Sequence, residues 1–135
     1  MDPDTTGRPR TPEEVCADLA EQVSRLADRL RSLSEVRLAR ALPPAGSRAD
    51  AGHALAQRLA DAAAALDGEP ARPVPRLHDL AVGDQVAVTG TDLVAAVCLA
   101  AGRGPAGHGP GVDADGWAST AGAAIEAVRA LRAAL

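Results

Sequence analysis

The chain has no Lys, Asn, Phe or Tyr, and only one Trp and two Cys among its 135 residues; all 14 basic residues are Arg. A single aromatic, Trp117, leaves no platform on which nucleobases would stack. A net charge of −4 without a basic run argues against a nucleic-acid partner. The start, Met1-Asp2-Pro3-Asp4, is acidic and has no apolar segment behind it, so no secretory signal is expected. The longest unbroken apolar run, Leu93 to Ala101, is nine residues, well short of the roughly 20 that cross a bilayer. These features predict a cytoplasmic protein with no membrane partner. Cys16 and Cys98 fit neither a CxxC nor a zinc spacing. They read as small helix residues beside an apolar stripe, with a disulfide or a reactive thiol as alternatives, and the cytoplasmic reading argues against the disulfide. There is no GxSxG, and the Gly-rich stretch at 102–111 lacks the Lys-Ser/Thr of a phosphate cradle.

Ala fills 32 positions, whereas Leu, Val, Ile and Phe together fill 27. Ala is the strongest helix former, so a thin-cored all-α domain is expected, spanning residues 11–135 behind a flexible tail at 1–10. Thr11-Pro12-Glu13-Glu14 carries the elements of a capping box with Pro at the first helical position. Val15, Leu19, Val23, Leu26, Leu30 and Leu33 follow at spacings of four and three, one helical face, with Asp18, Glu21, Arg25, Asp28 and Arg29 opposite. Pro43-Pro44 is expected to end this helix. Ser47-Arg48-Ala49-Asp50 repeats the capping pattern ahead of Ala51, Leu55, Leu59, Ala62 and Leu66, and Gly68 supplies a left-handed stop. After the connector 102–111, Asp113 or Asp115 caps a last helix with the stripe Trp117, Ala121, Ala124, Val128, Leu131 and Leu135, and Ile125 beside it.

Residues 77–101 are ambiguous. Leu80, Val82, Asp84, Val86 and Val88 alternate as in a strand, and Gly83 and Gly90 weaken a helix; yet Val82, Val86, Thr89, Leu93 and Val97 share one helical face. A lone strand would have no partner, so a helix is predicted, distorted near Gly83 or Gly90. The sum is a four-helix bundle. The connector at 68–76, GEPARPVPR, reads as a stiff extended strut. It is long enough to run the length of the bundle as a crossover, leaving helices two and three parallel, and would also serve as a slack up-down turn.

At residues 85–97, QVAVTGTDLVAAV, the chain resembles the third-helix signature of the DinB-like and mycothiol-dependent maleylpyruvate isomerase superfamily. In isomerase-type members this stretch reads roughly E-L-V-V-H-G-W-D-L-A-R-A. The resemblance implies a four-helix bundle with a long crossover between helices two and three; many members hold a divalent metal, and several use a low-molecular-weight thiol. The Asp92-Leu93 pair and the apolar frame match. Gln85 and Thr89 stand where the family carries its Glu and His ligands, Thr91 replaces an aromatic, and Arg58 occupies the position of the helix-two His. A neutral amide, a hydroxyl and a guanidinium make a poor metal set, so neither a metal nor a cofactor is expected.

His53, His78 and His108 are too scattered for a metal trio and read as helix-end or loop residues. Asp113 and Asp115 read as caps and Trp117 as a core anchor. The candidate site is the polar set Arg58, Gln85, Thr89 and Asp92. Gln85, Thr89 and Asp92 border the apolar stripe of helix three, with Arg58 as the expected partner of Asp92; the set forms either an inter-helix network or a small polar pocket. A metal-free, non-catalytic bundle is expected, acting through binding: as a homodimer, with a protein partner, or with a small polar ligand. Leu38 and Leu42 are candidates for an exposed patch that a dimer would cover. The alternatives are a thiol-dependent transferase or isomerase, and a regulatory protein that sequesters a factor on its helix faces.

Overall fold

The computed structural model describes residues 8–103 and 116–135. Helix α1 (Pro12–Arg31) opens on the capping box: Thr11 accepts from the Glu14 N–H while the Glu14 carboxylate accepts from the Thr11 N–H. Its predicted stripe is buried throughout, and Glu21 and Arg25 pair at 2.6 Å on the outside. The helix does not continue to Pro43-Pro44. It ends at Ser32, whose hydroxyl turns back to the Arg29 carbonyl (2.6 Å), and Ser34 caps a short helix α2 (Glu35–Leu38). This new start turns Leu38 inward, to 1 % exposure, and Leu42 is half-buried, so the expected Leu38–Leu42 surface patch does not exist.

Helix α3 (Arg48–Asp67) begins with the Ser47/Asp50 capping box and stops at Gly68 in the left-handed region (φ 69°). Its buried face is Ala49, Gly52, Leu55, Ala56, Leu59 and Ala63, rotated from the predicted stripe: Ala51, Ala62 and Leu66 are only half-buried. The rotation follows from packing against a parallel neighbour through small residues. Helix α4 (Val82–Arg103), entered through a 3-10 turn at Asp79–Ala81, is continuous, with Val86, Leu93 and Val97 fully buried. No strand occurs among the described residues. Gly83 and Gly90 do not distort α4; they admit α1. A β-carbon at Gly90 would overlap a Val23 methyl, and one at Gly83 would meet the Ala27 carbonyl at 3.0 Å.

Helix α5 (Gly116–Ala134) packs chiefly on α1 and buries Ala121, Ala124, Ile125 and Val128, with Trp117 half-buried against the same core. Gly52 near the start of α3 meets Val82 at the start of α4, and Asp67 shares a groove with Leu99 near their ends, so α3 and α4 run parallel. The chain path is therefore up, down, down, up, and the connector between Gly68 and His78 is the full-length crossover. Twenty residues of α3 rise about 30 Å, which some ten extended residues at about 3.1 Å also cover.

Arg8 and Arg10, assigned to the flexible tail by sequence, are tied to α1 through Glu14 (2.8 Å) and Asp18 (3.1 Å). The readings for the rest of the tail, the connector at 104–111, His108, Asp113 and Asp115 fall outside the described residues. Cys16 of α1 and Cys98 of α4 are joined as a disulfide, with Cα atoms 6.2 Å apart. The expectation of two separate helix residues is overturned here, because antiparallel packing of α1 on α4 brings together positions 82 apart in sequence.

Candidate functional site

The predicted polar set does not converge. Thr89, 8 % exposed, donates its hydroxyl to the Gln85 carbonyl of its own helix at 2.8 Å, the usual way a buried threonine is satisfied in a helix. Gln85 donates Nε2 to the Pro75 carbonyl in the strut at 2.7 Å. Asp92 is exposed, in a groove between α3, α4 and the strut that also holds Asp67, Glu69 and Arg72. Arg58 lies on a different side, in the groove between α3 and α5. No ion pair joins Arg58 to Asp92: the rotation of α3 that buries Ala56 and Ala63 turns Arg58 away from α4.

What the structure builds in its place is a clamp on the strut. An extended proline-rich segment satisfies none of its own backbone groups, so a strut lying on a protein needs donors and acceptors beneath it. Gln57 supplies both: Oε1 accepts from the Val74 N–H (2.7 Å) and Nε2 donates to the Arg72 carbonyl (3.0 Å). The His53 ring nitrogen Nε2 lies 3.1 Å from the Val74 carbonyl, and Gln85 takes Pro75. Arg76 closes the end with Asp50 (2.7 Å) and Asp79 (3.3 Å). His53 is thus a strut holder and not a free helix-end residue, and His78 precedes the 3-10 turn without capping it by its side chain. Gln57 was not singled out by sequence. The signal was the strut itself: three prolines beside two helices must find side-chain partners, and glutamine offers a donor and an acceptor together.

The two carboxylates Asp18 and Asp50 are structural in placement. Asp18, its side chain mostly buried, faces Arg10 (3.1 Å), Gln22 Nε2 (3.2 Å) and, across to α5, Arg129 (3.9 Å). Burial alone would raise its carboxyl, but the Gln22 and Arg10 hydrogen bonds, with the charges of Arg10 and Arg129, hold it below the ordinary aspartate value. Asp50 is lowered by the Ser47 backbone and hydroxyl hydrogen bonds and by Arg76. Among the described residues no group of three or more His, Cys, Asp or Glu side chains is placed to hold a metal ion, and the two positions that the resemblance equates with metal ligands, Gln85 and Thr89, are both engaged with backbone carbonyls.

The surface itself is uneven. Each large apolar residue that is exposed among the described ones lies on α4 (Val88, Leu99), on the segment leading into it (Leu77, Leu80), or on α2 (Val36), which packs on that lead-in. Asp79–Arg103 is long and apolar enough, at a mean hydropathy of 1.5, to span a membrane by composition, which the count of consecutive apolar residues misses. Its inner face is the core of the bundle, and its outer face carries Asp84, Val88, Asp92, Ala95, Leu99 and Arg103, all exposed. Comparison with known protein families, curated proteins and solved structures returns no match for this chain.

Proposed function

We propose that this protein acts through binding and not catalysis, as a self-associating bundle whose α4 outer faces pair antiparallel with those of a second copy. The observation that carries the reading is the concentration of exposed apolar side chains on one helix: Val88 is 62 % and Leu99 60 % exposed, whereas the other described helices longer than one turn keep their large aliphatic side chains inside or half-buried. Large apolar side chains held out to solvent on one helix face are candidates for an interaction site.

The spacing on α4 supports a second copy as occupant. In an antiparallel pair centred between Leu93 and Val94, Val88 lies opposite Leu99 of the other copy, Asp92 opposite Ala95, and Asp84 opposite Arg103. Val88 and Leu99 thus meet apolar partners, Asp92 faces a small side chain, and the charged ends meet with opposite sign in an isologous two-fold contact. Asp84 already pairs with Arg31 at 2.8 Å yet keeps 70 % of its side chain exposed, so its free carboxylate face remains open. Shallow grooves lined by small residues flank α4, against α1 on one side and against α3 and the strut on the other. A strip about 33 Å long and two helix widths across offers roughly 700 Å², close to what one partner of a standard interface buries.

The up-down-down-up path with its crossover is also the layout implied by the superfamily resemblance, and supports kinship as part of this reading. Light scattering across a concentration series is expected to give twice the chain mass, and Val88→Arg or Leu99→Arg to give the monomer with unchanged helix content. A chain that stays monomeric at about millimolar concentration, or a dimer that survives both substitutions, overturns the proposal.

A further inference from the structure

Helices α3 and α5 touch more sparsely than the α1–α4, α3–α4 or α1–α5 pairs, and their seam faces away from the outer surface of α4. There a groove of about 310 Å³ runs between the two antiparallel helices. Its floor is apolar, built from Leu55, Leu59 and Ala124, and its rim carries three polar side chains, Arg58, Ser119 and Thr120. None of the three makes a side-chain hydrogen bond or ion pair within the described residues. Several exposed arginines elsewhere share this state, but they do not stand beside an apolar floor; Thr89 and Thr91, by comparison, turn their hydroxyls onto carbonyls of their own helix.

No carboxylate lines this groove, although the chain as a whole is acidic. In the acidic groove beside the strut, Arg72 lies among Asp67, Glu69 and Asp92; in the α1–α4 groove, Arg31 is neutralised by Asp84. The α3–α5 groove is therefore the described cavity whose cation lacks a counter-charge. Because α3 and α5 run in opposite directions, Ser119 and Thr120 lie toward the end where α3 finishes and α5 begins, whereas Arg58 stands at the middle of α3, between Leu55 and Leu59. Donors on the rim and hydrocarbon on the floor suit an amphiphile with a single anionic head.

We infer that the α3–α5 groove binds a carboxylate-headed aliphatic ligand, the head held by the Arg58 guanidinium and the Ser119 and Thr120 hydroxyls, the chain laid on Leu55, Leu59 and Ala124. A guanidinium takes a carboxylate with two parallel hydrogen bonds, which fixes head orientation. The cavity volume is at the lower end of small-molecule sites, so a chain of about ten carbons or fewer is the size class. This site is independent of the α4 surface.

The test uses the full chain and decanoate below its micelle concentration, read by the fluorescence of Trp117, which lies two residues before Ser119 and is the only Trp in the chain. Decanoate is expected to bind saturably with a dissociation constant at or below about 1 mM. Decanol tests the tail without the charge, and acetate tests the head without the tail; each is expected to bind at least about tenfold more weakly. Arg58→Gln is expected to cost about tenfold in decanoate affinity, with Arg58→Lys recovering part of it. Ala123→Leu, which fills the groove from α5, is expected to abolish binding, and circular dichroism checks that the variant remains folded. Equal affinity for decanol and decanoate, an unchanged Arg58→Gln variant, or no saturation by about 5 mM overturns the inference. Repeating the titration with Val88→Arg keeps this result separable from the state of association.

Discussion

Gly90 of α4 lies so close to Val23 of α1 that a β-carbon on the glycine would overlap a valine methyl. This contact sets how near the two antiparallel helices approach. Gly90→Ala is therefore expected to destabilise the fold by about 1–3 kcal/mol, the usual cost of overpacking, despite the better helix propensity of Ala. Val23→Ala in the same chain is expected to recover part of the loss, a coupling that a double-mutant cycle in urea would measure. Gly122 in α5 has nothing within 4 Å of its own β position, so Gly122→Ala is expected to stabilise by up to about 1 kcal/mol.

Gln57 holds the strut by two hydrogen bonds, and its loss leaves the half-buried Val74 N–H without a partner. Gln57→Ala is expected to cost about 1–3 kcal/mol. Limited trypsin digestion at the Arg76–Leu77 bond should accelerate, because local release of the strut exposes it; Arg72, followed by Pro73, is resistant. Unchanged cleavage after Arg76 would show that the clamp does not restrain the crossover.

Acid should loosen the molecule through two carboxylates. Asp18 and Asp50 both sit below their ordinary values in the fold, so the unfolded chain takes up their protons first. Their contribution is complete above the unfolded value, near pH 4, and is lost as pH falls through the lowered folded values. Asp50→Asn and Asp18→Asn are each expected to flatten the acid limb of a Tm–pH curve, with the wild type falling more steeply below about pH 4.

The Cys16–Cys98 link closes a loop spanning 82 positions, and long closures restrict the unfolded chain most. Reduction, or replacement of both cysteines by serine, is expected to lower stability by about 2–4 kcal/mol. A thermal melt with and without reductant measures this directly, and the doubly substituted chain should be insensitive to reductant.

Local features were fully legible in the sequence. The Thr11/Glu14 and Ser47/Asp50 boxes and the Gly68 stop depend on neighbours a few residues apart, and each stands where the pattern put it. Of the stretch 77–101, read as helix because a lone strand would have no partner, Val82 onward is α-helix and Asp79–Ala81 is a 3-10 turn leading into it. The break at Ser32 was hidden because Leu33 and Leu38 prolong the apolar spacing across it; Ser34 as a second cap was the signal. The polar set failed for a different reason. Whether Arg58 meets Asp92 depends on the rotation of α3 about its axis, and small residues such as Ala56 and Ala63 bury as readily as Leu66 once a parallel neighbour lies against them. The disulfide was illegible because it requires the antiparallel pairing of α1 with α4.

The pinned crossover has a consequence for how this chain tolerates change in length. Between Arg72 and Arg76 the backbone groups of Arg72, Val74 and Pro75 are matched to Gln57, His53 and Gln85, and the Arg76 side chain to Asp50, so the segment behaves as a ruler. One residue inserted there adds about 3.1 Å, roughly two residues of helical rise, and every downstream pin loses its mate. The same insertion at Glu69 or Pro70, ahead of the first pin, has only to bulge into solvent. Length variation in this connector is thus permitted on one side of Arg72 and forbidden on the other.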